Sequence, residues 1–257
     1  MRQVIHFAAV YVLWLRELKK LFRSTSRIIG SLMTPLLFLV FLGFGLKDMA
    51  LPGTPAGTTY TVFLVPGIIG MGLLFSSTFA GLSLLMDREF GFLKEIMVAP
   101  VNRISIVIGR ILGGTTTGLM QAVLILLISL IFGMRIPSVL SFFIAIVFMI
   151  LIAVAFIGMG LVFAANMRDT HGFNLIVNFV IFPLFFLSGA MYSINNLPTW
   201  LRTLSYLDPL TYGVDGMRGA LLGISTFPLP LDFFVLLFFS LIMVKLGAYF
   251  FERVESA

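Results

Sequence analysis

The sequence predicts an all-α polytopic membrane protein: an amphipathic interfacial helix over residues 1–27, then a six-span transmembrane domain over 28–257 with a short cytoplasmic helix and an external re-entrant helical hairpin. Three observations predict it. Apolar residues make up 60% of the 257 and charged residues only 11%, with a mean hydropathy of +1.10, whereas a globular chain carries about a quarter charged residues. Lipid must replace water around most of the chain. Six long stretches also lack Asp, Glu, Lys and Arg almost entirely, and the basic residues fall on alternate connections between them. No cysteine is present, which removes disulfides, thiolate metal sites and cysteine nucleophiles. A net charge of +6 in a soluble protein would suggest nucleic acid. Here its distribution reads as topology, and no nucleic-acid partner is expected.

In chain order, Phe7, Tyr11, Trp14, Leu18 and Leu21 recur at helical spacing, with Arg16, Lys20, Arg23 and Arg27 on another face. A helix lying in the cytoplasmic headgroup layer fits that pattern. A signal peptide is the competing reading, but Arg16 and Glu17 follow the apolar part without a small-residue cleavage site. A helix crosses the hydrocarbon core with about 20 apolar residues. The spans are therefore 28–46, 60–86 with its usable core after Pro66, 111–134 extended back toward Ile104, 136–167, 172–192 and 233–251. Lys245 snorkels from the last of these, and Pro183 kinks the fifth.

Orientation follows from the basic residues. Arg2, Arg16, Lys19, Lys20, Arg23 and Arg27 precede the first span; Arg88, Lys94, Arg103 and Arg110 lie between the second and third; Arg168, Lys245 and Arg253 fall on the same side. Lys47, Arg135, Arg202 and Arg218 fall on the other. Both termini are expected in the cytoplasm.

Two connections are long. Residues 87–103 are rich in charge yet expose Phe92 and Ile96 at i, i+4, a compact mixed patch for a partner protein or, equally, a helix pressed on lipid headgroups. Residues 193–232 hold two short helices: one starts at Asn196-Leu197-Pro198 with a stripe of Leu197, Trp200, Leu201 and Leu204, and the other starts at Asp208-Pro209 and ends at Gly223. Asp215 and Arg218 stand at i, i+3 and can pair. The hairpin reads as re-entrant or as a lid, with simple packing over the bundle as the alternative.

Chemistry inside the spans is sparse. His6 and His171 are far apart, no metal-ligand spacing appears, and no GxSxG, HExxH or GxxxxGK[ST] motif is present. Polar intramembrane groups are uncharged. Gln121, Asn174 and Asn178 could line a path, the two asparagines sharing a face, although such amides more often bond between helices. Glycines 109, 113, 118, 158 and 160 read as sites of close helix packing. No intramembrane carboxylate suited to ion coupling and no internal repeat is visible, so an energy source is missing from the chain.

Asp87-Arg88-Glu89-Phe90-Gly91-Phe92-Leu93-Lys94-Glu95-Ile96-Met97-Val98-Ala99-Pro100-Val101-Asn102-Arg103 resembles a run characteristic of ABC-2 type exporter permeases, with its acidic-Arg-Glu start, its Gly and Glu, and its Pro-Val-x-Arg ending. The family's external stretch is matched by Leu187-Ser188-Gly189, Leu197-Pro198-Thr199-Trp200-Leu201, Asp208-Pro209-Leu210-Thr211-Tyr212 and Asp215-Gly216-Met217-Arg218. Two positions depart: Phe92 stands where a small hydroxyl residue is common, and Asp208 where Asn is common. The resemblance covers essentially the whole chain and implies a non-enzymatic permease subunit. Its coupling segment, carried on Asp87, Arg88, Glu89, Gly91, Phe92, Glu95, Pro100 and Arg103, would dock on a separate ABC ATP-binding subunit that holds ATP and Mg. Two ATPases and two permeases, a homodimer in the lipid bilayer, would make the working unit. An external gate would use Asp208, Pro209, Tyr212, Asp215 and Arg218. The expected location is the inner (plasma) membrane. The expected cargo is a hydrophobic drug or lipid-like amphipathic compound, with a lipid-linked polysaccharide or glycolipid as the alternative within the family. An ATPase-independent channel or a membrane-embedded enzyme is the alternative outside it.

Overall fold

The computed structural model describes residues 6–46, 58–89, 103–167 and 169–253. Among them every regular element is helical. The elements are α1 (Phe7–Arg23), α2 (Thr25–Gly45), α3 (Tyr60–Glu89), α4 (Arg103–Ile131), α5 (Val139–Asn166), α6 (Thr170–Leu187), α7 (Thr199–Leu207), α8 (Pro209–Leu222) and α9 (Leu229–Arg253). Six of these, α2 to α6 and α9, are long and apolar enough to cross a membrane. The protein is a multi-pass membrane protein, as the charge-free stretches predict.

The boundaries shift for local reasons. Helix α3 begins at Tyr60 and runs through Pro66, so the proline does not delay it. Helix α4 stops at Ile131, where Gly133 takes φ +90°, and α5 starts only at Val139, where the Ser138 hydroxyl accepts from Ser141 N–H at 3.1 Å. The fifth span ends at Leu187 rather than Tyr192, because Gly189 at φ +68° turns the chain. Pro183 acts on α6 as expected, but through a widened turn. It cannot donate an N–H to the carbonyl one turn back, and residues Val177–Ile181 just before it are π-helical.

Helices α3 and α5 form the centre, with α4, α8 and α9 packed around them. They touch backbone to backbone at Gly81 and Gly160, where a Cβ on Gly81 would fall 2.3 Å from the Gly160 carbonyl carbon. Gly158 gives α9 a similar approach at Met243. Gly118 makes only ordinary contact with Leu73, so of the five glycines singled out by sequence it alone allows a side chain without a clash.

Two elements sit differently from the sequence reading. Helix α1 is more than a headgroup helix. It runs along α4, His6 N–H donating to Ser105 at 3.0 Å, Leu13 against Gly109 and Glu17 against Gly113. Trp14, on the face expected to meet lipid, turns its indole N–H to Thr116 Oγ1 at 3.0 Å, while Phe7 and Tyr11 remain exposed. The hairpin also divides into unlike halves. Helix α7 starts at Thr199, after a 3-10 turn at Ile194–Asn196, and leaves Trp200, Leu204 and Leu207 exposed. Helix α8 is sunk into the bundle with 11 of its 14 residues buried.

Candidate functional site

Three places carry the chain's chemistry: the hairpin end, the α1 end and a cavity between them.

At the hairpin end, Asp208 and Gly223 bound α8 as the sequence predicts. Asp208 Oδ1 accepts from Leu210 N–H at 2.9 Å, Pro209 occupies the first turn, and Gly223 closes the helix in the left-handed conformation. Asp208 Oδ2 is buried beside Thr211, and burial pushes the carboxyl up to about 8 against the opposing pull of the Leu210 N–H and the Thr211 hydroxyl. Asp215 and Arg218 do not form the expected ion pair. The Asp215 carboxylate instead accepts from Thr226 N–H at 2.8 and 3.0 Å and from Phe227 N–H at 2.9 Å, pinning the loop that leads into α9. Arg218 donates to the carbonyls of Gly189 at 3.0 Å and Ala190 at 3.4 Å and lies 4.0 Å over the Phe63 ring. Burial lowers the guanidinium to about 10, which still leaves it charged at neutral pH. The i, i+3 spacing is outcompeted because backbone donors and acceptors of two turns lie nearer each head group. Tyr212 donates to the Tyr206 carbonyl at 2.8 Å, and both rings close on Phe227.

At the α1 end, Asp87 is shared by two arginines on two other helices. Its Oδ2 meets Arg110 Nη2 at 2.6 Å and its Oδ1 meets Arg16 Nη2 at 3.5 Å. One carboxylate thus joins α1, α3 and α4, a joint the sequence did not reveal because its partners lie 71 and 23 positions away. Arg88 and Glu89 follow in the last turn of α3, and Arg103 opens α4. Gly91, Phe92, Glu95 and Pro100 lie outside the described residues.

Between the ends, α1, α2, α3, α4 and α6 line a cavity of about 560 Å³, within the range of small-molecule sites. Six phenylalanines line it: Phe38, Phe75, Phe79, Phe182, Phe185 and Phe186. Phe75 and Phe182 meet edge to face at 5.0 Å. Gln121 reaches the cavity and its amide has no partner among the described residues. Asn174 and Asn178 do not line it. They lie on the exposed face of α6, while Val177 and Phe182 turn inward, so the three amides do not line this cavity together. Sequence reading missed Ser31, Thr34 and Ser83 as lining residues, and also Glu17. Glu17 did carry a signal, as the one acidic residue within the basic helix α1.

These features match those of a known class. The model of the ABC-2 type transporter family matches residues 8–222, and the chain belongs to that family as the permease component of a transporter. Among individual relatives, it is 30% identical over 239 residues to the inner membrane transport permease YadH of Escherichia coli strain K12, covering 91% of each chain. It is 30% identical over 211 residues to the putative transport permease ycf38 of Cyanophora paradoxa, covering 81% of this chain and 72% of that one. It is 28% identical over 213 residues to the probable doxorubicin resistance ABC transporter permease protein DrrC of Mycobacterium tuberculosis, covering 81% and 75%.

Proposed function

We propose that this chain is the transmembrane subunit of an ATP-driven exporter in the inner (plasma) membrane. It would take a hydrophobic or lipid-like amphipathic compound from the cytoplasm or inner leaflet, with both termini in the cytoplasm. The observation that carries this reading is the aromatic-lined cavity of about 560 Å³ placed between the joint at Asp87 and the buried hairpin helix. The drug-resistance name of one relative agrees with such a cargo. Two permease copies would work with two ATP-binding subunits, which supply ATP and Mg.

Coupling would enter through residues 87–103 and α1. The ends of that segment continue directly into α3 and α4, and Asp87 ties both helices to α1. A displacement of the segment therefore reaches two walls of the cavity at once, as packed rigid bodies. The bonds of Asp215 and Arg218 to backbone groups favour α8 moving with the turn after α6 and the loop into α9 rather than swinging as a separate gate.

The test is uptake of a hydrophobic dye into inside-out vesicles carrying this chain and its co-expressed ATP-binding subunit. ATP-dependent accumulation is expected. Flux that is the same without ATP would overturn the exporter in favour of a channel. Cys substituted at Arg23 should react with an impermeant reagent from the cytoplasm and Cys at Asn195 from outside; the reverse would invert every role assigned here.

A further inference from the structure

Three of the cavity's hydroxyls have their protons committed to their own helices. Ser31 donates to the Ile28 carbonyl at 3.0 Å, Ser83 to Ala80 at 2.7 Å and Thr117 to Gly114 at 2.9 Å. These hydroxyls offer only lone pairs to the space they line. Among the described residues neither Lys nor Arg lines the cavity, and the one ionisable lining group is Glu17. The Glu17 stem is fixed by packing on Gly113, where a Cβ would meet its Cβ at 2.8 Å and its Cγ at 2.9 Å. Its carboxylate makes no ion pair or hydrogen bond with any described residue. The nearby Arg16 and Arg110 are both engaged by Asp87. The remaining wall is aromatic: Phe75, Phe182 and Phe185 form a cluster with centroids 5.0 to 6.4 Å apart, whose ring faces are electron-rich.

Three hydroxyls that present lone pairs, a carboxylate without a partner among the described residues and clustered ring faces all favour positive charge. We infer that the cavity selects amphipathic organic cations, with Glu17 as the residue that determines charge preference. This deepens the proposed function and rests on it for transport, but the charge preference itself is a binding property that requires no ATP.

The experiment uses the full chain in nanodiscs of uncharged lipid, with binding to empty nanodiscs subtracted. Two probes of the same shape and opposite charge are compared, tetraphenylphosphonium and tetraphenylborate. The phosphonium should bind about tenfold more tightly, the scale of one ionic contact in a partly hydrated place. Glu17→Gln, which preserves the stem on Gly113, should remove about that factor for the phosphonium and leave the borate unchanged or tighter. Glu17→Asp, which preserves the charge, should retain the preference. Equal binding of the two probes, binding of neither, or an unchanged preference in Glu17→Gln would overturn the inference and leave the exporter reading standing. Charge-selective binding without any ATP-driven transport would do the reverse.

Discussion

At the hairpin end, α8 carries Asp208, Asp215 and Arg218 into the bundle and gives each to backbone groups, whereas at the α1 end Arg16, Asp87 and Arg110 hold one another. A carboxylate bound to two consecutive N–H groups, or a guanidinium bound to two consecutive carbonyls, is satisfied in one backbone geometry only. Side-chain pairs tolerate sliding, because both partners can turn about several bonds while staying paired. The difference divides the molecule into an end whose charges are held by backbone groups and an end whose charges are held by side chains. The second borders residues 87–103, where a partner would act.

The comparison can be broken by substitution, and the largest effect is expected at Asp215. Asp215→Ala leaves the N–H groups of Thr226 and Phe227 without acceptors and should lower stability by about 3 kcal/mol, at 1–3 kcal/mol per unsatisfied buried group. Thermal unfolding in detergent measures it. Since Asp215 and Arg218 serve different backbone partners, a double-mutant cycle with Arg218→Ala should give a coupling below about 1 kcal/mol, and a larger value would restore the ion pair as the organising contact.

Next comes a pH effect at the same end. The folded chain holds the Asp208 proton up to about pH 8, far above the ordinary carboxylate value of 3.8. Folded molecules therefore bind more protons than unfolded ones between those values. The stability this contributes is complete below the ordinary value and is lost as pH rises through about 8. The unfolding temperature should fall by several degrees between pH 5 and 8, and Asp208→Asn, which retains an N-cap acceptor, should flatten that slope.

At the α1 end the effects should be smaller in stability and larger in function. Asp87→Asn keeps an acceptor for Arg110 but removes the charge, for about 1 kcal/mol. Its ATP-driven transport should fall severalfold while the chain still inserts. Trp14→Phe loses the hydrogen bond to Thr116 and should cost about 0.5–1 kcal/mol by the same unfolding assay.

What the sequence made legible follows from which forces are local. Charge-free stretches locate the spans, because the bilayer acts on each segment separately, and Asp208, Pro209 and Gly223 bound α8 through their own backbone preferences. The depth of α8 was not legible, since a stripe of Leu210, Val214, Met217 and Leu221 fits either a lid or a core helix. The partners of Asp215 and Arg218 were hidden for a related reason: backbone N–H and carbonyl groups leave no mark in a sequence, while the i, i+3 spacing of two opposite charges does. Gln121 was found and Glu17 missed because polarity within a span stands out, whereas an acid among the basic residues of α1 reads as surface.

The central claim, that the cavity is where cargo is loaded for ATP-driven transport, is tested most directly by filling it. Gly30 and Gly45 both lie on α2 with nothing within 4 Å of an added Cβ, but only Gly30 lines the cavity. Gly30→Trp should abolish ATP-dependent dye accumulation in inside-out vesicles while insertion and co-purification of the ATP-binding subunit stay normal, and Gly45→Trp should transport like the unaltered chain. Normal transport in Gly30→Trp would contradict the account and place the cargo elsewhere.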